Sequence, residues 1–108
     1  MKAPFQLTAQ AAEDLDHIWW FIAKDSIDAA DRVEAEIAAT CSRLAGRPLI
    51  GHTRPDITPL AVRLWTIPRY PNYVIVYRPE TRPLQGIAIL HGKRDVEEIL
   101  RGWPLGES

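Results

Sequence analysis

The sequence predicts an α+β domain in which a helical hairpin packs on one face of an antiparallel sheet. Two consecutive segments carry apolar residues at helical spacing, and three strand candidates with short connections follow them. A short strand candidate precedes the helices, and an amphipathic segment follows the strands. At 108 residues the chain fits one domain and leaves no room for two of ordinary size. We therefore expect a single domain over residues 1–108 with the element order β-α-α-β-β-β-α.

The N-terminal elements are a short strand and an amphipathic helix. The strand is predicted over Lys2–Leu7, where apolar and polar residues alternate after Pro4. Thr8 is a typical N-cap for the helix that follows. The apolar stripe of this helix repeats every three or four residues and comprises Leu15, Ile18, Trp19 and Ile22. At about 100° per residue, Trp20 points away from this stripe, so we expect its indole to lie outside the core.

A second helix follows a short break, where Asp25 or Ser26 can act as its N-cap. Its apolar stripe comprises Ala30, Val33, Ile37, Cys41 and Leu44. Gly46 and Pro48 end the helix. Because two helices joined by so short a break run antiparallel, we expect a helical hairpin.

The C-terminal half supplies the sheet. Residues 47–60 contain three prolines and a glycine, which is typical of a surface loop. Strands are predicted over Val62–Ile67, Tyr73–Arg78 and Leu84–His91, and their short connections favour an antiparallel meander. The nearly continuous β-branched run in the middle strand indicates a central position, covered on at least one face. A last amphipathic helix is expected over Asp95–Arg101.

Composition excludes several classes of protein. A hydrophobic fraction of 46% and a charged fraction of 25% match soluble globular domains and exclude a disordered chain. The longest mainly apolar run lies within Tyr73–Arg78 and is far shorter than the ~20 residues of a membrane span. The single Cys41 cannot form an internal disulfide, and the N-terminus has no apolar core of a signal peptide. We therefore expect a cytoplasmic protein without a membrane partner.

The net charge of −1 conceals an asymmetry between the two halves of the chain. Residues 1–42 carry three basic and eight acidic side chains, whereas residues 43–108 carry ten basic and six acidic ones. One interpretation is an acidic solvated helical face with scattered arginines. The other is a basic C-terminal half that meets an acidic partner or a nucleic acid.

Common catalytic signatures are missing from the sequence. The six glycines form neither a dinucleotide-binding fingerprint nor a P-loop, and the serines lack a nucleophile elbow. The histidines and Cys41 have no metal-ligand spacing. We therefore predict no catalytic residue of these types, no metal and no cofactor.

A basic and aromatic set remains in the C-terminal half. It comprises Arg54, Arg63, Arg69, Tyr70, Tyr73, Arg78, His91, Lys93 and Arg94. Arginine suits phosphate and carboxylate groups, and tyrosine stacks on bases. Cleavage of RNA without a metal requires a base, a cation and an acid of these kinds. Plain alternatives stay open: Tyr73 and Tyr77 as core residues, Arg78 as a strand-edge residue, and Arg94 paired with Asp95.

Four stretches, in order along nearly the whole chain, resemble the RelE/ParE superfamily of toxins from bacterial toxin–antitoxin pairs. The opening helix resembles the family at Leu7-Thr8, Ala11, Asp14-Leu15 and Ile18, and the second helix resembles it at Ala29-Ala30, Arg32-Val33 and Ile37. Leu44, Pro48, Gly51 and Arg54 resemble the ParE-type L-x3-P-x2-G-x2-R signature. Tyr73–Arg78 with Ile89–Asp95 resembles the family's Y-x-I-x-Y and hG-x-R-D ending. The family's fold has the same element order that the periodicities predict.

The resemblance also bears on activity, because RelE-like members cut mRNA on the ribosome whereas ParE-like members poison DNA gyrase. The nuclease branch carries a basic residue after the first Tyr of the central strand and a Tyr near the C-terminus. Here those positions hold Val74 and Leu100, whereas Arg63 and Arg94 do match basic positions of the nuclease. The loss of either group costs several kcal/mol of barrier lowering, which favours the ParE-like branch.

The resemblance implies a toxin that inhibits DNA gyrase and is neutralised by a ParD-type ribbon-helix-helix antitoxin. The complex would be a hetero-oligomer that reaches operator DNA only through the antitoxin. We expect gyrase contacts at Arg54, Arg69, Arg78, Lys93 and Arg94. We expect antitoxin contacts at Trp20, Phe21, Arg63 and Trp65, since aromatic and Arg side chains are favoured interface anchors. A RelE-like ribosome-dependent mRNA endonuclease and a module that only binds its antitoxin are the alternatives.

Overall fold

The structure is a computed structural model that describes residues 4–103, except for the side chains of Lys93 and Arg94. Its elements are β1 (Phe5–Leu7), α1 (Ala9–Ala23), α2 (Ile27–Gly46), β2 (Arg63–Thr66), β3 (Tyr73–Arg78), β4 (Leu84–His91) and α3 (Gly92–Gly102). The predicted order and α+β class are confirmed. The bounds of β3 and β4 match the prediction, whereas α3 begins three residues earlier than predicted.

Side-chain caps define the starts of both hairpin helices. Thr8 Oγ1 accepts from the Ala11 N–H at 3.2 Å at the start of α1. Of the two candidates for α2, Ser26 is the cap, because its Oγ accepts from the Ala29 N–H at 3.0 Å. Each bond satisfies a backbone donor that the helix itself leaves unpaired.

The sheet is mixed, which corrects the prediction of a fully antiparallel sheet. Its strand order is β1-β4-β3-β2, and the last three form the predicted antiparallel meander. β1 instead runs parallel to β4, with Phe5 opposite Leu84 and Leu7 opposite Gly86. No tight turn joins these two strands along the chain, so local sequence does not impose an antiparallel pairing.

The N-terminal end of α1 completes the hydrogen bonding of β4 beyond the end of β1. Thr8 donates from its hydroxyl to the Ile87 carbonyl at 3.3 Å, and Asp14 Oδ2 accepts from the Ile89 N–H at 3.0 Å. β4 has a bulge here, because Val76 pairs with Ala88 and the next residue of β3 pairs with Gly86. Asp14 therefore joins α1 to a segment of β4 that has no strand beside it on that side.

Apolar side chains cover both faces of the sheet. On one face the buried α2 stripe packs against residues such as Ile75 and Ile89, and all five residues of the predicted stripe are buried. On the other face α3 contributes Val96 and Leu100, which pack with Val76 among others. The structure thus has a layer of helix on each side of the central strands.

Burial raises the pKa of the Cys41 thiol to about 12, from an ordinary value of 9.0. An unfolded thiol loses its proton near pH 9, whereas the folded one keeps it, so rising pH favours the unfolded state in this window. We expect Cys41 to reduce the free energy of unfolding by about 1.4 kcal/mol per pH unit above pH 9. Urea unfolding at pH 8 and pH 10 should show that the free energy of unfolding falls more between these two pH values for the wild type than for Cys41→Ala. An equal fall in the free energy of unfolding in both proteins would show that the Cys41 thiol does not cause the pH dependence.

Candidate functional site

The loop between α2 and β2 is held to the sheet by a buried tyrosine. The Tyr77 hydroxyl donates to the Pro48 carbonyl at 2.6 Å and accepts from the Gly51 N–H at 3.0 Å. Tyr77 is fully buried, and burial raises the pKa of its phenol. We call Tyr77, Pro48 and Gly51 the tyrosine latch. It gives a structural reason for the Gly of the ParE-type signature, because a Cβ at Gly51 would collide with the Tyr77 side chain.

Arg63 is bonded to the same loop. Its Nη1 donates to the Gly51 carbonyl at 2.8 Å and to the Leu49 carbonyl at 3.2 Å. Arg63 also lies opposite Tyr77 in the β2–β3 pairing. Two of the guanidinium's bonds therefore hold the loop, a role that sequence reasoning did not assign to Arg63.

A cleft of about 490 Å³ opens between the loop, the sheet and α3. Its lining residues are His52, Arg54, Leu64, Thr66, Pro71, Val74, Gly92 and Val96. Arg54 makes a bidentate pair with Asp56, with Nε–Oδ1 and Nη2–Oδ2 distances of 2.9 and 2.8 Å. This hydrogen bonding raises the pKa of Arg54 and lowers that of Asp56. The pair faces solvent, so an incoming acidic group can compete with Asp56 for the guanidinium.

The two positions that differ from the nuclease branch both hold apolar side chains in apolar surroundings. Val74 lines the cleft, so its wall offers an isopropyl group where the nuclease has a cation. Leu100 is 1% exposed and packs in the core beneath α3. A side chain at that position points into the protein, not toward a ligand in the cleft.

The predicted gyrase contacts are distributed over several parts of the surface. Arg69 is exposed in the turn before β3, where it has a positive φ of 72°. Arg78 ends the same strand, five residue steps or about 17 Å from the strand's start. The side chains of Lys93 and Arg94 lie outside the described residues, but their backbone begins α3 beside the turn, where the Gly92 N–H donates to the Asn72 carbonyl at 2.7 Å. The turn before β3 therefore adjoins the start of α3. Arg54 lies in the nearby cleft, and Arg78 lies at the far end of β3.

Two of the predicted antitoxin contacts form an aromatic patch on α1. Trp20 and Phe21 are 68% and 66% exposed, which confirms that Trp20 lies outside the core. Trp19 contacts Trp20 edge-on, and the Lys24 ammonium lies 5.1 Å from the Phe21 ring. Phe21 also lines a small pocket of about 260 Å³ with His17, Ile18, Tyr73 and His91.

The other two predicted antitoxin contacts, Arg63 and Trp65, lie on β2 at the edge of the sheet. The Trp65 ring is half-buried and stacks on His52 with 6.0 Å between ring centroids. The structure therefore separates the four residues into a helical patch and a strand-edge pair. Their roles in antitoxin binding stay predictions.

Two further features of the described residues are the placement of metal-ligating side chains and the length and apolar character of the helices. Residues 4–103 contain no group of three His, Cys, Asp or Glu side chains positioned to hold a metal ion. Among the described helices, none combines the length and apolar character that a membrane span requires.

Comparison with known proteins gives a family match and a structural match. The sequence model of the family described as "ParE toxin of type II toxin-antitoxin system, parDE" matches residues 5–96. The structure is similar to a solved chain described as "Chromosomal ParDE TA system from P. aeruginosa", with a TM-score of 0.68 and 22% sequence identity. That alignment covers 85% of this chain and 98% of the solved one, and at this identity it shows the fold. No curated protein matches the chain.

Proposed function

Because this chain belongs to the family of ParE toxins of type II toxin–antitoxin systems, we propose that it inhibits DNA gyrase and that a ParD-type antitoxin neutralises it. The toxin performs no bond chemistry of its own. Cleaved DNA that accumulates is the product of gyrase, held by the bound toxin.

The observation that carries this proposal is the apolar character of the two positions where the nuclease branch has polar groups. Val74 in the cleft cannot stabilise a charged phosphate, and the buried Leu100 can neither donate a proton nor stack on a base. Arg63, which matches a nuclease position in sequence, donates to two loop carbonyls. These features support a toxin that binds its target over the ribosome-dependent endonuclease, which is the alternative.

The basic C-terminal half supplies the proposed gyrase contacts. Arg69 and the start of α3, which carries Lys93 and Arg94 in the sequence, lie at one end of β3 beside the cleft that holds Arg54. Arg78 extends the set to the other end of the strand. Basic side chains favour binding to an acidic surface and speed association with it.

The acidic N-terminal half is the proposed side for the antitoxin. The exposed rings of Trp20 and Phe21 offer anchors that are large and rigid, and Arg63 with Trp65 extends the contact to the β2 edge. The toxin joins operator DNA only through the antitoxin, as a hetero-oligomer.

A supercoiling assay with purified gyrase tests this function. We expect the wild-type toxin to inhibit supercoiling and Arg69→Asn to inhibit it about tenfold less, because one contact charge is lost. Asn tolerates the positive φ at this turn, so the fold is kept. Arg32→Gln removes a charge from the helical hairpin and serves as the matched control with unchanged inhibition. Unaffected gyrase, together with mRNA fragmented at codons on translating ribosomes, would refute the proposal and establish the endonuclease.

A further inference from the structure

A turn anchored in the core carries the ion pair of Arg54 and Asp56. The Arg54 carbonyl accepts from the N–H groups of Ile57 and Thr58, both at 3.0 Å, and both of these residues are buried. The two charged side chains project outward instead, and they are 33% and 60% exposed. An ion pair with this much exposure is weak, so Arg54 can exchange its partner while the backbone of the turn stays in place.

A second ion pair, on α3, lies near this turn. Arg101 and Glu97 are one helical turn apart, with 3.7 Å between Arg101 Nη2 and Glu97 Oε1. The hydrogen bond from Arg54 is the main cause that lowers the pKa of Asp56, and the charge of Arg101 lowers it further. Asp56 therefore has a second cation within electrostatic reach, which favours its carboxylate when another group takes its place on Arg54.

The cleft beside this turn combines a cation with an apolar wall. Its polar lining side chains are His52, Arg54 and Thr66, and none of the described lining residues is Asp or Glu. The other lining side chains are apolar, namely Leu64, Pro71, Val74 and Val96. An occupant that carries a carboxylate next to an apolar side chain complements both parts of this lining.

The lining favours a peptide over a nucleic acid. Bases bind to proteins largely by stacking on aromatic rings. Among the described lining residues only His52 has a ring, and this ring already stacks on Trp65. The Arg54 guanidinium, by contrast, already holds a carboxylate through two bonds of 2.9 and 2.8 Å. Asp56 therefore shows the geometry that a carboxylate of a partner would adopt.

We propose that the cleft binds an acidic peptide segment of the toxin's target and that Asp56 competes with this segment for Arg54. In the free toxin Asp56 occupies the guanidinium. In the complex a Glu or Asp of the target replaces it, a neighbouring apolar side chain packs against Val74 and Val96, and Asp56 turns toward Arg101. The inference rests on the proposed function only for the identity of the target as gyrase.

Titration of the full toxin with a blocked peptide, acetyl-Leu-Glu-Leu-amide, tests the cleft without gyrase. Nuclear magnetic resonance follows the Arg54 Nε–H and the methyl groups of Val74 and Val96. We expect saturable shifts at all three residues. Asp56→Asn should bind the peptide about threefold more tightly than the wild type, because the competing charge is lost. The uncharged probe acetyl-Leu-Gln-Leu-amide should bind about threefold more weakly than the glutamate peptide.

Several results of this titration would overturn the proposal. The Arg54 Nε–H could show no saturable shift, or the two peptides could bind equally well. Equal affinities of the wild type and Asp56→Asn for the glutamate peptide would show that Asp56 does not compete. A thymidylate tetranucleotide that binds in the cleft more tightly than the glutamate peptide would assign the cleft to a nucleic acid.

Equilibrium binding to purified gyrase extends the test to the proposed target. Asp56→Asn should bind gyrase about threefold more tightly than the wild type, and Arg54→Gln about tenfold more weakly. In the Arg54→Gln background, Asp56→Asn should have no further effect, because the two groups act on one contact. A gain from Asp56→Asn that persists without Arg54 would overturn the competition.

Glu36→Gln is the matched control for net charge. Glu36 also pairs with an arginine, Arg43 at 3.4 Å, but it lies on α2 across the sheet from the cleft. It should bind gyrase as the wild type does, and a gain equal to that of Asp56→Asn would overturn the proposal. Toxin that binds the glutamate peptide but not gyrase would refute the proposed function and support the cleft assignment. Toxin that inhibits gyrase but does not bind the peptide would do the reverse.

Discussion

Gly51→Ala should be among the most destabilising single-methyl additions in this protein. A Cβ at Gly51 would lie 2.9 Å from Tyr77 Cε1 and 3.0 Å from the Leu64 carbonyl oxygen, and closer still to the Tyr77 hydroxyl. The Tyr77 ring is fully buried and its hydroxyl is bonded on both sides, so it cannot move aside. We expect a loss of about 3 kcal/mol in the free energy of unfolding, from overpacking and a broken latch. Thermal unfolding followed by circular dichroism should show a Tm lower by about 10 °C or more.

Gly46→Ala is the matched control for this variant. A Cβ at Gly46, the last residue of α2, has nothing within 4 Å, so the substitution should leave the Tm unchanged or raise it slightly. Similar losses of Tm at the two glycines would show that the tyrosine latch does not constrain position 51.

Leu100→Ala should release α3 from the sheet. Leu100 is 1% exposed and Val96 is 4% exposed, and these are the buried side chains by which the described part of α3 packs on the core. Truncation of a buried Leu costs about 2–5 kcal/mol. Because the contacts that are lost hold α3 to the sheet, we expect the backbone amides of α3 to exchange with solvent faster than those of α2. Chemical denaturation gives the global change, and hydrogen exchange locates it.

Ile99→Ala is the neighbouring control. Ile99 is 38% exposed, so the same truncation should cost less than about 1 kcal/mol. The proposed function adds a second readout, since α3 carries Lys93 and Arg94 in the sequence. Leu100→Ala should then weaken gyrase inhibition more than Ile99→Ala does, and equal stability of the two variants would contradict the packing described for α3.

Periodicity was sufficient to predict elements whose partners are close in sequence. All five residues predicted for the α2 stripe are buried, and β3 and β4 have their predicted bounds. Helical and strand spacing depend on local geometry, and the short connections of the meander restrict its pairing. The parallel pairing of β1 was not predictable in this way, because Phe5 and Leu84 meet without a tight turn between them.

The start of α3 was missed for a different reason. Glycine usually interrupts a helix, so the sequence places the beginning of α3 after the Gly92-Lys93-Arg94 stretch. In the structure Gly92 takes a φ of +78° and turns the chain directly from β4 into α3. A residue with a side chain adopts this backbone conformation only with strain, so the glycine permits the junction.

The candidate site shows why residue type alone does not assign a role. Arg63 is a basic residue in a basic half, yet its guanidinium bonds to carbonyls 12 and 14 residues earlier in the chain. Tyr77 satisfies loop groups 26 and 29 residues away. Such partners become visible only when the loop is placed against the sheet. By contrast, the exposure of Trp20 follows from the geometry of one helix and was predictable.

The pairing of the first strand with the last has a consequence for synthesis of the toxin. β1 is synthesised before the rest of the sheet, and among residues 4–103 its only strand partner comes from residues 84–86. The pairing of β1 with β4 joins two segments that are separated by most of the polypeptide. A contact with so large a separation in sequence forms late in folding. A nascent chain therefore cannot complete its sheet until β4 has been synthesised.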